Sequence, residues 1–420
     1  MSAPVIVVLG AAGQMTSVTA RAVAMAAQDH RMVLADINFD ALSEKFGDLD
    51  PNRILLKRLD LNAPGQLQDI VQGARLLIHG AGPFHRTAAR VRAACIGAGT
   101  DYFDIDDDVE STLEAIVLDG AARAAGVGLY VGHGASPGFT NMLARDLIDR
   151  LDEVETVEVA WTVGDEGKNE LGRAVAEHTM HIGAGPCLTW RQGRQVTHES
   201  FATSQTFPMG QSLGDYRLYE VAHPEPITLP WSFPQLREAS CWGGLHPQAF
   251  NGLLRGLATA QASSKLTMDE ACSFIQAVMN DEFGHLKGWG AALEGMIAQV
   301  RRKDNDWRNL CRTLFNALRS VHEPRRSGVA ARVTGRKDGR RLVLVRQCAD
   351  RQSGGFLDTM ATITGLSAAA FVVMILQGQK HLGFLPPERW ADPGRFYALC
   401  ADLAGHAERA VVGPILQEEA

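Results

Sequence analysis

The first fifteen residues constrain this 420-residue chain more than any other stretch. Val5 to Leu9 is an unbroken apolar run rich in β-branched side chains, and it ends in the turn Gly10-Ala11-Ala12-Gly13-Gln14-Met15. A run without polar alternation must be covered on both faces, as the strands of parallel sheets are. Thr16 to Ala27, rich in Ala and Val, then reads as a helix. The alternation recurs: Arg31 to Ala35, Ile54 to Leu61, Ala74 to His79, Thr100 to Ile105 and Val127 to Val131 read as strands, with helical patterns over Ala88 to Ala98 and Val109 to Ala125. Such spacing builds βαβ units and predicts a doubly wound parallel sheet.

After about Gly138 the texture changes. Val157 to Val163 alternates as a half-exposed strand does, and two hairpins are expected. Leu188 to Thr197 would turn at Gln192-Gly193, and Ala331 to Arg346 at Asp338-Gly339, the latter pair favoured in two-residue turns. Between them a helical block runs from Gln248 to Ser320, with a capping box at Thr267-Met268-Asp269-Glu270. From Thr364 the chain is helical again, with a break at Pro386-Pro387. The expected class is α/β: a Rossmann-type doubly wound parallel sheet plus an α+β domain with a helical insertion.

Net charge is −7 and the pI near 6.0, which argues against nucleic-acid binding, since phosphate neutralisation needs clustered cations. Seven widely spaced cysteines without a C-x-x-C pair predict neither a disulfide framework nor a zinc site. The longest apolar stretch, near Ala368 to Leu376, is short for a membrane span, and no leader-like segment opens the chain. A cytoplasmic protein with no membrane partner is expected.

Gly10 and Gly13 occupy a strand-to-helix turn of the kind that lets backbone N–H groups approach a pyrophosphate. The G-x-G-x-x-G fingerprint is incomplete, with Ala12 at its middle glycine and Met15 at its last. Asp36 ends the second strand, where an acidic side chain accepts hydrogen bonds from the adenosine ribose and repels a 2′-phosphate. That favours NAD(H), with NADP(H) as the alternative. Asp60 is placed to meet the adenine or else to serve as a loop carboxylate. Gly80, Gly82, Pro83 and Phe84 close the fourth strand under the nicotinamide half, on the carboxyl edge where ligands bind such sheets.

Gly82-Pro83-Phe84, followed by Ala94-Cys95-Ile96-Gly97-Ala98-Gly99-Thr100-Asp101-Tyr102-Phe103-Asp104, resembles the saccharopine dehydrogenase-like oxidoreductases. Gly134-Ala135-Ser136-Pro137-Gly138-Phe139-Thr140-Asn141 is similar to that family's P-G-x-[ST]-N motif, and Ser136 stands where many relatives carry Asp. Thr364-Gly365 through Ala368-Ala369-Ala370 to Gly378, with Gly383 and Pro387-Glu388, resembles its C-terminal helix. The resemblance is thin over roughly Asp165 to Arg326.

The resemblance implies an NAD(P)-dependent oxidoreductase acting on a C–N bond, by imine reduction or secondary-amine oxidation, of an amino-acid-derived small molecule. It also implies a homodimer formed through the second domain. The domains are then residues 1–135 for the cofactor, 136–358 for substrate and dimerisation with an insertion at about 247–322, and 359–420 returning to the first.

Imine chemistry needs an acid–base group and a clamp for carboxylates. His133, Tyr102 and Asp104, at strand ends on the cofactor edge, are the catalytic candidates. His133 reads equally well as a structural loop histidine. Ser136, Pro137, Gly138, Asn141, Arg173 and His178 are the substrate candidates. His178 and His181, one helical turn apart, lack an evident third ligand, so no metal is expected. His223-Pro224-Glu225-Pro226 and Trp242-Gly243-Gly244-Leu245 read as loops near a domain interface, without an assigned role. None of the five tyrosines is followed four residues on by Lys, which excludes a short-chain ketoreductase. A non-catalytic NAD(P)-binding sensor is the alternative function.

Overall fold

The computed structural model describes residues 3–164, 172–210, 213–321, 325–348, 356, 359–405 and 410–419. The chain forms two compact units. The first comprises residues 1–149, 354–356 and 360–412; the second comprises 150–353, 357–359 and 413–420.

The first unit begins as the periodicity dictates: β1 (Val5–Leu9), α1 (Gln14–Ala26), β2 (Arg31–Asp36), α2 (Phe39–Phe46), β3 (Ile54–Arg58), α3 (Gln66–Val71), β4 (Ala74–His79) and α4 (Phe84–Ala98). It continues through β5 (Asp101–Asp104), α5 (Val109–Val117), α6 (Asp119–Ala124), β6 (Gly128–Tyr130) and α7 (Phe139–Ile148). Two helices start earlier than the apolar pattern suggests, at Gln14 and Phe84. The stretch read as one helix from Val109 to Ala125 is two, parted at Leu118. β3 stops short of Leu61 because Asp60 turns the chain: its carboxylate accepts the Asn62 N–H at 2.8 Å and its carbonyl the Ala63 N–H at 3.0 Å.

The second unit runs β7 (Glu153–Val163), α8 (Arg173–Ile182), β8 (Pro186–Arg191), β9 (Arg194–Glu199), β10 (Ser204–Pro208), β11 (Asp215–Glu220), α9 (Glu225–Ser232) and β12 (Glu238–Leu245). The helical block follows as α10 (Ala249–Ala262), α11 (Met268–Met279), α12 (Leu286–Arg301) and α13 (Trp307–Leu318), then the hairpin β13 (Gly328–Lys337) and β14 (Arg340–Gln347). Both hairpins turn where expected, with Gln192, Gly193, Asp338 and Gly339 all at positive φ.

The chain then supplies α14 (Met360–Gln377), β15 (Gly383–Leu385), α15 (Pro387–Trp390) and α16 (Pro393–Leu403) to the first unit, and β16 (Leu416–Glu419) to the second. Among the described residues, the first sheet has seven parallel strands in the order β15-β6-β5-β4-β1-β2-β3. The second has nine, ordered β10-β11-β12-β7-β13-β14-β16 with β8 and β9 off β12; β12 and β7 are parallel, the other pairs antiparallel.

The apolar stretch near Ala368 proves to be part of the 18-residue α14, whose mean hydropathy of 1.8 matches a membrane span in length and composition. It is 67% buried and behaves as a core helix. A Cβ on Gly365 would lie 2.5 Å from Val18 Cβ, so α14 lies directly on α1, and Phe371 stacks on Phe396 of α16 at 4.3 Å.

Candidate dinucleotide site

The carboxyl edge of the first sheet carries the glycines. Gly10 has φ +70°, and a Cβ there would stand 2.6 Å from the Ala81 nitrogen. Gly13 is the exposed N-cap of α1 and has no side-chain cap; a Cβ on it would lie 3.1 Å from the Gly10 carbonyl. A cradle empty of side chains therefore opens at the positive end of a 13-residue helix, flanked by half-buried Ala12, Gln14 and Met15.

The missing last glycine has a counterpart elsewhere. A Cβ on Gly80 would fall 2.0 Å from Thr16 Oγ1, so Gly80 on β4's end, rather than residue 15, permits the close approach of helix to sheet.

Asp36 is half-buried, and its carboxylate braces the turn. Oδ2 accepts the Ala12 N–H at 2.9 Å and Oδ1 the Asn38 N–H at 2.9 Å, leaving acceptor capacity on both oxygens. Lys45 Nζ donates to the Ala12 carbonyl at 2.8 Å, so acid and base hold residue 12 through both of its backbone polar groups. Lys45 carried no sequence signal, being one cation on a polar helix. Asp60 spends its carboxylate on its own turn, the loop reading. At the fourth strand the Thr87 hydroxyl donates to the Ala81 carbonyl at 2.8 Å and lies 3.1 Å from His79 Nε2, which fixes the Gly80–Phe84 segment to the strand. The glycine cradle and the acid at the end of β2 fit a nicotinamide dinucleotide.

The three catalytic candidates are enclosed. Tyr102, Asp104 and His133 are each 0% exposed. Tyr102 donates to Asp104 Oδ2 at 2.6 Å, and Arg92 from α4 reaches Asp104 at 2.9 Å and Asp106 at 2.7 Å. Asp104 Oδ1 also accepts the Gly132 N–H at 2.8 Å. Burial and the neighbouring Asp104 push the Tyr102 and Asp106 groups well above their ordinary values. This is a structural ion cluster joining β5, α4 and the loop after β6. His133 accepts from Trp390 Nε1 at 3.0 Å among Phe103, Tyr130 and Phe371, and burial drives its basicity far down. All three catalytic candidates are therefore enclosed and bonded to protein partners.

Of the substrate candidates, Ser136 is half-buried while Pro137, Gly138 and Asn141 are buried. A Cβ on Gly138 would sit 2.0 Å from the Gly134 carbonyl. Asn141 accepts the Gly138 N–H and donates to the buried Glu388 carboxylate, both at 2.8 Å. The Pro-Gly motif thus ties α7 to α15 rather than offering polar groups to a ligand. Arg173 is held by Glu177 at 2.8 Å and Asp269 at 2.6 Å on the surface of the second unit. His178 is half-buried, its ring 6.3 Å from that of His223.

One group escaped the sequence reading. His85, in the first turn of α4 beside Gly82-Pro83, has a 34% exposed side chain, and its Nδ1 lies 3.3 Å from Asp108 Oδ2. The same carboxylate oxygen accepts the His85 N–H at 3.0 Å, which aligns the ring. The only available signal was its place immediately after Gly-Pro-Phe.

Fold and site together define an α/β protein whose first unit is of the dinucleotide-binding type. Residues 6–127 match the saccharopine dehydrogenase NADP binding domain family. Saccharopine dehydrogenase (L-Glu forming) from Saccharomyces cerevisiae superposes with a TM-score of 0.63 at 14% identity, over 99% of this chain and 100% of that one. GenD2 from gentamicin A biosynthesis, in complex with NAD, gives a TM-score of 0.37 at 12% identity over 100% and 97% of the two chains. A short-chain dehydrogenase from Sphingobium yanoikuyae, in complex with NADPH, gives 0.25 at 16% identity over 30% and 69%. The chain has the fold of saccharopine dehydrogenase, and within it residues 6–127 are similar to that family's NADP binding domain.

Proposed function

We propose that the protein oxidises or reduces a carbon–nitrogen bond of an amino-acid-derived small molecule, with NAD(H) as the favoured cofactor. The observation that carries the reading is the Gly10–Met15 cradle with Asp36 at its adenosine side. A bound nicotinamide would supply or accept hydride at that bond. The backbone N–H groups at the start of α1 hold the pyrophosphate, and Asp36 receives the ribose hydroxyls while repelling a 2′-phosphate. His85 is the acid–base group in place of the enclosed trio: Asp108 holds Nδ1, and Nε2 exchanges the proton with the reacting nitrogen.

The test combines binding and turnover. NADH should bind more tightly than NADPH by fluorescence titration, and Asp36→Ala should weaken NADH about tenfold, the loss of roughly one charge-assisted hydrogen bond. The same variant should tighten NADPH, an effect that simple loosening of the Ala12 turn would not produce. With a panel of amine–carbonyl pairs, His85→Asn should lower kcat about a hundredfold at unchanged NADH affinity. Equal loss of turnover and cofactor binding would make His85 structural. Tight NADH binding with no turnover across the panel would favour a sensor.

A further inference from the structure

The second unit contains a cluster of candidate ligand atoms that the cofactor reading does not use. We infer that His223, Glu225 and Cys241 form a binding site for a zinc-class divalent cation. Their candidate ligand atoms, an imidazole nitrogen, a carboxylate oxygen and a thiol sulfur, all lie within 4.8 Å of one another. The His223 side chain is 4% exposed, Glu225 0% and the Cys241 residue 0%.

The fold brings them together from separate stretches. β11 pairs with β12 antiparallel through Glu220 and Trp242, and the Val221 N–H extends that ladder to the Cys241 carbonyl at 3.1 Å. Two residues later the chain presents His223, and Pro224 then starts α9 with Glu225 as its first residue. Pro224 and Pro226 flank Glu225 and fix the backbone on either side of the carboxylate. On its other edge Cys241 pairs with Val159 of β7, so all three donors hang on the centre of a nine-stranded sheet and the helix packed against it.

The chemistry selects the ion. Thiolate, imidazole and carboxylate are the ligand set of tetrahedral zinc, with ligand bonds of about 2.0–2.3 Å and hence donor separations of roughly 3.4–3.6 Å. Without metal, His223 Nδ1 and Glu225 Oε2 share a hydrogen bond at 2.7 Å. Loading opens that pair and draws the sulfur in, shifts of about 1 Å within reach of side-chain rotation. Cys241 releases its thiol proton on binding and His223 ligates as neutral imidazole, so uptake liberates protons to solvent. The cation offsets a charge cost that a buried carboxylate beside a buried thiolate would otherwise carry. The fourth position falls to water or to His178, whose ring stands edge-on at 6.3 Å.

Tag-free full-length protein would be analysed for metal by mass spectrometry, then stripped and titrated with cobalt(II). The expected result is one equivalent of zinc or a related ion, and a thiolate-to-cobalt charge-transfer band in the near ultraviolet. Cys241→Ser and His223→Gln should abolish the band, Glu225→Gln should weaken binding about 10–100-fold, and Cys311→Ser, at the exposed cysteine, should change nothing. Absence of both metal and band in the parent protein, or a band that survives Cys241→Ser, overturns the inference. Should a variant fail to fold, the parent protein decides by itself: zinc must raise its Tm and a chelator must reverse the rise.

Discussion

Replacing Gly80 by alanine tests whether the close approach of α1 to the sheet builds the cofactor cradle. The new Cβ would meet Thr16 at three atoms: Oγ1 at 2.0 Å, Cγ2 at 2.6 Å and Cβ at 2.8 Å. Thr16 is buried, so its side chain cannot swing into solvent. Overpacking of this kind costs about 1–3 kcal/mol. In a unit of this size each kcal/mol lowers Tm by roughly 2–4 °C, so a fall of about 5 °C is expected by calorimetry. Because α1 must move to relieve the clash, NADH affinity should fall with it. Thr16→Ala removes the two nearest atoms and leaves only the contact at 2.8 Å. The double variant Gly80→Ala/Thr16→Ala should therefore recover most of both losses, with a coupling of about 1–2 kcal/mol in a double-mutant cycle. Strict additivity of the two single effects would refute the steric account.

Two further perturbations address the groups buried beneath the site. His79 is fully enclosed, and burial, aided by Arg92 and Arg90, lowers its pKa from 6.5 to about 3. Below 6.5 the unfolded chain takes up a proton that the folded chain refuses, so stability is lost as pH falls from 6.5 toward 3. At about pH 5 the loss from His79 is roughly 2 kcal/mol, and urea midpoints for His79→Gln should fall less steeply between pH 7 and 5 than those of the parent. Arg92→Met leaves the Asp104 and Asp106 carboxylates buried without their shared cation and should cost about 3–5 kcal/mol in thermal unfolding, whereas a loss under about 1 kcal/mol would mean that the cluster is protonated and held by its hydrogen bonds alone.

The strands of the first unit were legible because each is a short apolar run bounded by glycine or a polar turn, and doubly wound topology follows from their spacing. β15 was not, since three residues carry no period and their partner β6 lies far back in the chain. The cradle and Asp36 were legible for a different reason, that backbone chemistry and an acid at a strand end are local. The enclosure of Tyr102, Asp104 and His133 was not legible, because strand-end position says nothing of burial. Tyr102 and Asp104 are sealed by Arg92, which reaches them from a helix whose charged residues read as ordinary surface. His85 was passed over because its orienting partner Asp108 sits on a separate loop. His223 and Cys241 were unreadable as neighbours, since only the β11–β12 pairing brings them together.

The completion of the first sheet by β15 also bears on how the molecule is made. As the ribosome releases the chain, β6 emerges with one open edge, and it stays open until all of the second unit but its last segment, residues 413–420, has been synthesised. α14, which covers α1, arrives equally late. An unpaired strand edge beside an uncovered apolar helix face is a template for pairing with other nascent chains. The short length of β6, three residues, limits that hazard. The β6 edge is thus covered only after β15 has followed, so a chain interrupted before Gly383 would expose the edge and be a natural client for chaperones.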